Sequence, residues 1–202
     1  FNPLAAQLQL SSRAGPTIGY RTQSVLRRYA LNDVFESDPA SCLEMMQTLV
    51  ESEIDGELVY GISEVSYILG KRAEKKKDVA LALDMYGVSV SNAYMYLFSG
   101  EFDAVRNPYD PQFRGACDLY NESLESTLRL VNAKGQLKPG KSYEVTTGKR
   151  TYEVQTLLRG NWSEDDFEHF EFVSDYELEG LPASGLTYGL GVPLVAVRRK
   201  GD

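Results

Sequence analysis

Between Leu58 and Phe98, apolar side chains recur twice at helical spacing, and this stretch limits the fold more than any other. Leu58, Ile62, Val65 and Leu69 lie at steps of four, three and four residues, which sets them on one face of a helix. A second stripe runs through Val79, Leu83, Tyr86, Val90, Ala93, Tyr94 and Leu97, and Gly100 closes it as glycine commonly does just past a helix. The run Lys71-Arg72-Ala73-Glu74-Lys75-Lys76-Lys77 between them reads as a charged, solvated connector. Ala80, Ala82, Gly87, Ser89 and Ala93 are small enough to let a neighbouring backbone come close. The spacing predicts an antiparallel helix hairpin at the centre of a helical region.

Helix signals continue on both sides. Thr22 to Leu31 reads as a short helix with Val25, Leu26 and Tyr29 inward. Asp38-Pro39 is a start signal, with Asp as N-cap and Pro at the first helical position. Leu43, Met46, Leu49, Val50 and Ile54 form the stripe of the helix it opens. Asp110-Pro111 repeats the signal before Phe113, Cys117, Tyr120, Leu124, Leu128 and Val131, a helix expected to end near Gly135. After Gly135 the grammar changes. Ser142–Thr147 and Thr151–Leu158 alternate as strands, with Gly148-Lys149-Arg150 as their turn. Ser163 and Asp166 read as a capping box opening a short helix. A third strand is expected over His169–Glu177, and a last, apolar one over Val192–Arg198. The predicted class is α+β: an antiparallel array of about five helices, then a smaller, mostly-β region. The division is an extended arm at 1–21, a helical domain at 22–135 and a β-rich region at 136–202.

With 202 residues, 43% of them hydrophobic, the chain can bury a substantial core. Its formal charge of −8 disfavours a nucleic-acid surface, which needs clustered positive charge. No apolar run reaches the roughly 18 residues of a membrane helix. The chain opens on Phe1 rather than Met, which reads as a processed or trimmed piece, and the compartment is left open. Cys42 and Cys117 lack the spacing of zinc or redox sites and read as buried thiols, with a disulfide between them open at this point.

Catalytic motifs are incomplete. Gly135 to Ser142, with Gly140 and Lys141 between, fits the pattern G-x-x-x-x-G-K-[ST]. A phosphate loop needs a strand before it and a helix after it, so that loop amides and a helix N-terminus converge. Here the order is reversed, and Pro139 brings no amide N–H, so the match is read as chance and no nucleotide site is assigned. No G-x-S-x-G occurs, and the single histidine, His169, stands in an acidic, strand-like run as a surface or edge residue. The acids from Glu164 to Glu179 lack the loop spacing of a calcium site and read as a solvated face or a docking face for a basic partner. No catalytic residue, cofactor or metal is assigned.

Thirteen tyrosines are many for this length. Tyr67, Tyr86, Tyr94, Tyr96 and Tyr120 either line a groove that meets a partner or pack between helices. Glu64-x-x-Tyr67-x-x-Gly70 and Ala82-x-x-x-Tyr86-x-x-Ser89 resemble the two halves of a tetratricopeptide or Sel1-like helix pair, with a connector longer than the roughly 34-residue repeat allows. Taken whole, residues 20 to 200 resemble the N-terminal region of planctomycete-type α/β-hydrolase-fold proteins, which are bacterial. The resemblance rests on Leu26-Arg27-Arg28-Tyr29, Asp38-Pro39, Ser63-Glu64-x-Ser66-Tyr67, Ala93-Tyr94-x-Tyr96-Leu97-Phe98, Asp110-Pro111-x-Phe113-Arg114, Asp118-Leu119-Tyr120-Asn121 and Tyr188-Gly189-Leu190-Gly191-Val192-Pro193-Leu194. It implies a helical region ahead of an esterase- or lipase-like domain, whose nucleophile, acid and histidine would lie beyond Asp202. The expected function is therefore a non-catalytic accessory segment. Its partner is the hydrolase domain or a second polypeptide, met through the tyrosines above and through Gly189, Gly191, Val192 and Leu194. The alternative is a free-standing scaffold that binds a protein or peptide.

Overall fold

The computed structural model describes residues 15–52, 55–133, 137–146, 151–157, 161–176 and 189–198. Six α-helices come first among them: α1 Tyr20–Arg28, α2 Asn32–Ser37, α3 Pro39–Ser52, α4 Gly56–Lys75, α5 Val79–Phe98 and α6 Pro111–Asn132. Two antiparallel strand pairs follow, β1 Ser142–Thr146 with β2 Thr151–Gln155, and β3 Phe167–Phe172 with β4 Leu194–Arg198. The class is α+β, a helical array followed by a small β region.

Helix α4 is the centre. From Leu58 to Ile68 every residue is buried, because the helix is covered on both sides. One side packs with α1, α2, α3 and part of α5 around Leu26, Met46, Leu58, Ile62 and Met85. The other packs with α5 and α6 around Tyr60, Tyr67, Tyr86, Tyr96 and Leu119. Three serines inside this layer are paired, while the buried Ser66 hydroxyl on α4 has no partner among the described residues. The Ser63 hydroxyl donates to the Ser89 carbonyl at 2.9 Å, and Ser123 donates to the Ser89 hydroxyl at 2.8 Å, tying α4, α5 and α6 through three fully buried serines.

The connector expected over Lys71–Lys77 is a correction. Helix α4 runs through Gly70 to Lys75, and the turn is only Lys76, Lys77 and Asp78. Ala73 is buried, and Lys71 turns back to donate to Ser126 at 3.0 Å, so this basic run is partly packed. The two 20-residue helices already exceed the roughly 34-residue repeat. The turn closes with two backbone bonds, Asp78 N–H to Ala73 C=O and Lys77 N–H to Glu74 C=O, with Lys77 left-handed at φ 61. Helix α1 ends the same way: Leu31 N–H meets Leu26 C=O, Ala30 N–H meets Arg27 C=O, and Ala30 has φ 54. This is the helix end where glycine is favoured. Lys77→Gly and Ala30→Gly are therefore each expected to stabilise the protein by about 0.5–1 kcal/mol in urea unfolding, since a side chain in the left-handed region is strained.

Other expectations need adjusting. Helix α2 was not expected because Asn32–Ser37 carries no apolar stripe; only Val34 and Phe35 pack, and those partly. Val79 and Tyr94 point outward, since α5 buries Ala82, Leu83, Tyr86, Ser89, Ala93, Tyr96 and Leu97 instead. The third strand starts at Phe167 and stops at Phe172, where Val173–Asp175 turns as a 3-10 segment. Gly148-Lys149-Arg150 and Ile54 lie outside the described residues. The starts at Asp38 and Asp110 are present: Asp38 accepts from the Ser41 amide and Asp110 from the Gln112 amide. Ser163 and Asp166 form the capping box, on a single 3-10 turn.

Both strand pairs contact the array. Tyr152 of β2 brings its hydroxyl onto Gly87 of α5, where a Cβ would overlap it. Arg129 of α6 lies 4.2 Å over the Phe172 ring and forks onto Asp175 at 2.7 and 3.2 Å, while also meeting the Ser174 hydroxyl at 2.8 Å.

Candidate docking face on helices α5 and α6

Tyr67, Tyr86 and Tyr96 belong to the core. The Tyr86 ring is wholly buried against Gly70, and its hydroxyl donates to Glu74 at 2.5 Å. Tyr67 lies 6.2 Å from it, and the Lys71 ammonium sits 5.6 Å from both ring centres. Tyr96 meets Tyr60 edge-on and stacks on Phe102. Burial, which penalises the phenolate, raises the pKa of all three.

Tyr94 lies on the outer surface, and Tyr120 is partly buried against the core beside it. Tyr94 and Phe98, one helical turn apart on α5, have ring centres 4.7 Å apart, and Tyr94 is 6.3 Å from Tyr120 on α6. Tyr94 is 54% exposed and Phe98 50%. Next to Tyr120, Asn121 reaches across to the turn before β4. Its amide donates to the Gly189 carbonyl at 3.0 Å, and its carbonyl oxygen accepts from the Gly191 amide at 2.7 Å. Leu190, within this clamped turn, is 45% exposed. Val192 and Leu194 follow, half-buried, and β4 pairs with β3 alone among the described residues. The fold thus gathers Tyr94, Tyr120, Gly189 and Gly191 into one neighbourhood, continued by Val192 and Leu194, and sends Tyr67, Tyr86 and Tyr96 inward.

Three residues here, Phe98, Asn121 and Leu190, are not among the contact residues expected from the sequence. Phe98 and Tyr94 are each one position past a core residue, Leu97 and Ala93, and that offset is the signal that could have found Phe98. Asn121 and Leu190 are separated from each other by a long stretch of chain, so no local pattern joins them.

The remaining candidates do not converge. Gly140 and Lys141 occupy a turn, Ser142 opens β1 and donates to Glu153 at 2.8 Å, and Gly135 lies outside the described residues. A strand, not a helix, follows the lysine. His169 on β3 is half-exposed and meets the Glu171 carboxylate at 2.9 Å. Cys42 and Cys117 are free; burial pushes the Cys42 thiol up to about 11 and raises Cys117 as well. Among the described residues no group of three or more His, Cys, Asp or Glu could hold a metal, and no helix is long and apolar enough to cross a membrane. No family model, curated protein or solved structure matches the chain.

Proposed function

We propose that this chain is a non-catalytic docking module, and that its α5–α6 face with the Gly189–Gly191 turn binds a partner polypeptide. The observation that carries this reading is the aromatic group of Tyr94 and Phe98, both about half exposed, with the partly buried Tyr120 beside Tyr94. Single exposed apolar residues need no explanation, but a contiguous aromatic group on a soluble surface marks a contact site. Aromatic side chains are also what the cores of interfaces are enriched in. The partner implied by the sequence resemblance is an esterase- or lipase-like domain, which this chain would cover or orient. The apolar strand β4 supports that choice, because a two-stranded pair is marginal alone and its edge, unpaired among the described residues, suits continuation by another strand.

The alternative, a scaffold for a free peptide, draws support from a separate feature. A groove of about 300 Å³ between α3, α4 and α5 is floored by Leu43, Leu69, Met85 and Val88. Native mass spectrometry of the protein from its own cells separates the two readings. The docking reading expects a second polypeptide that reacts with a fluorophosphonate probe and that is lost from the Tyr94→Ala, Phe98→Ala double variant. A lone chain, or a complex that the double variant retains unchanged, contradicts it.

A further inference from the structure

A second cavity, of about 490 Å³, lies between the segment ahead of α1 and helices α1, α2 and α4, and no residue of α5 or α6 lines it. Each helix presents one face to it: Gln23, Leu26 and Arg27 from α1, Asn32, Phe35 and Glu36 from α2, Ile68 and Arg72 from α4, with Thr17 and Ile18 closing the end. The floor is apolar, with Leu26 and Ile68 at 1% exposure or less. The rim is cationic. Arg21, Arg28, Arg106, Arg114 and Arg129 each meet a carboxylate, and Arg198 lies over Trp162. Among the described arginines only Arg27 and Arg72 have no such partner, and both line this cavity.

Two exposed guanidinium groups without a carboxylate partner thus stand at this cavity, Arg72 also bordering the groove between α3, α4 and α5. We propose that this cavity binds a small organic monoanion, a carboxylate carried on an apolar body. The volume falls within the range of small-molecule sites. The guanidinium fork matches a carboxylate in two parallel hydrogen bonds. Leu26, Phe35 and Ile68 receive the hydrocarbon; Asn32 also lines the cavity, while the Gln23 amide donates to the Ile18 carbonyl at 3.4 Å. Glu36 on the same rim sets the preference for a single negative charge, because a doubly charged head such as a phosphate monoester meets its repulsion.

Isothermal titration of the whole chain with octanoate tests this, with octanol and inorganic phosphate as controls. One saturable site for octanoate is expected, with octanol and phosphate each at least about tenfold weaker, because each lacks one half of the recognition. Arg27→Gln and Arg72→Gln should each weaken octanoate about tenfold. Both side chains are exposed, so unchanged circular dichroism and melting will establish that these variants fold. Tyr94→Ala with Phe98→Ala should leave octanoate binding unaltered, which keeps this site separable from the docking face. Absence of saturable octanoate binding overturns the proposal. So does equal affinity for octanol or phosphate, or full affinity in the Arg27→Gln, Arg72→Gln double variant.

Discussion

Replacing Gly70 with alanine is expected to destabilise the protein by about 2 kcal/mol, against the direction that helix propensity alone requires. In a free helix the change gains about 1 kcal/mol. Here a Cβ on Gly70 would stand 2.6 Å from two ring carbons of Tyr86, and that ring is wholly buried with its hydroxyl held by Glu74. Neither partner can move freely, so the added methyl acts as overpacking, which typically costs about 1–3 kcal/mol. Urea unfolding of the single variants and of the Gly70→Ala, Tyr86→Leu pair checks the cause. The double variant should be more stable than the sum of the single losses by about 1 kcal/mol or more, as expected for residues in contact. Stabilisation by Gly70→Ala, or strict additivity, would show that the α4–α5 approach is looser than described.

Glu64→Gln is expected to stabilise the protein at pH 8 by up to about 3 kcal/mol and to leave it nearly unchanged at pH 4. Glu64 is 1% exposed on α4 and accepts from the Gly19 amide at 3.1 Å, with no Lys, Arg or His within ion-pair distance among the described residues. Burial pushes its carboxyl up to about 7, against the lowering influence of nearby Thr22 and of the Gly19 amide. The folded state therefore holds this proton more tightly than the unfolded chain, whose value is near 4.5. Between these values folding takes up a proton, so the Glu64 contribution to stability falls as pH rises from about 4.5 to about 7 and is level above that. Glutamine keeps an acceptor for Gly19 and carries no charge, so the gap between variant and wild type should open over that same window. A gap that does not vary with pH would place the charge in water rather than in the core.

Local chemistry made much of the fold legible. The Asp-Pro pairs at 38 and 110 act within one turn, as does the Ser163–Asp166 box, and each is present. Strands β1 and β2 were readable because Tyr, Val and Thr alternate there. What failed depended on distant partners. Gly70 stands just before the connector expected at Lys71–Lys77, but it is an interior helix position that receives the Tyr86 ring from the next helix. Lys71 looked solvated, but its stem turns toward Tyr67, Tyr86 and Ser126. Of the docking face, Tyr94, Tyr120, Gly189 and Gly191 were named from the sequence. Phe98 joins Tyr94 by plain helical spacing, whereas the turn that carries Leu190 is held to α6 by the Asn121 clamp, a contact no periodicity encodes.

The α5–α6 face is tested most directly by a photo-crosslinking amino acid placed in turn at positions 94, 190 and 45 in the protein expressed in its own cells. Positions 94 and 190 lie on the face, and Met45, 46% exposed on α3, is the control. The docking account predicts one and the same polypeptide joined at 94 and 190 and absent at 45. No adduct at 94 and 190, or the same adducts at all three positions, would contradict it.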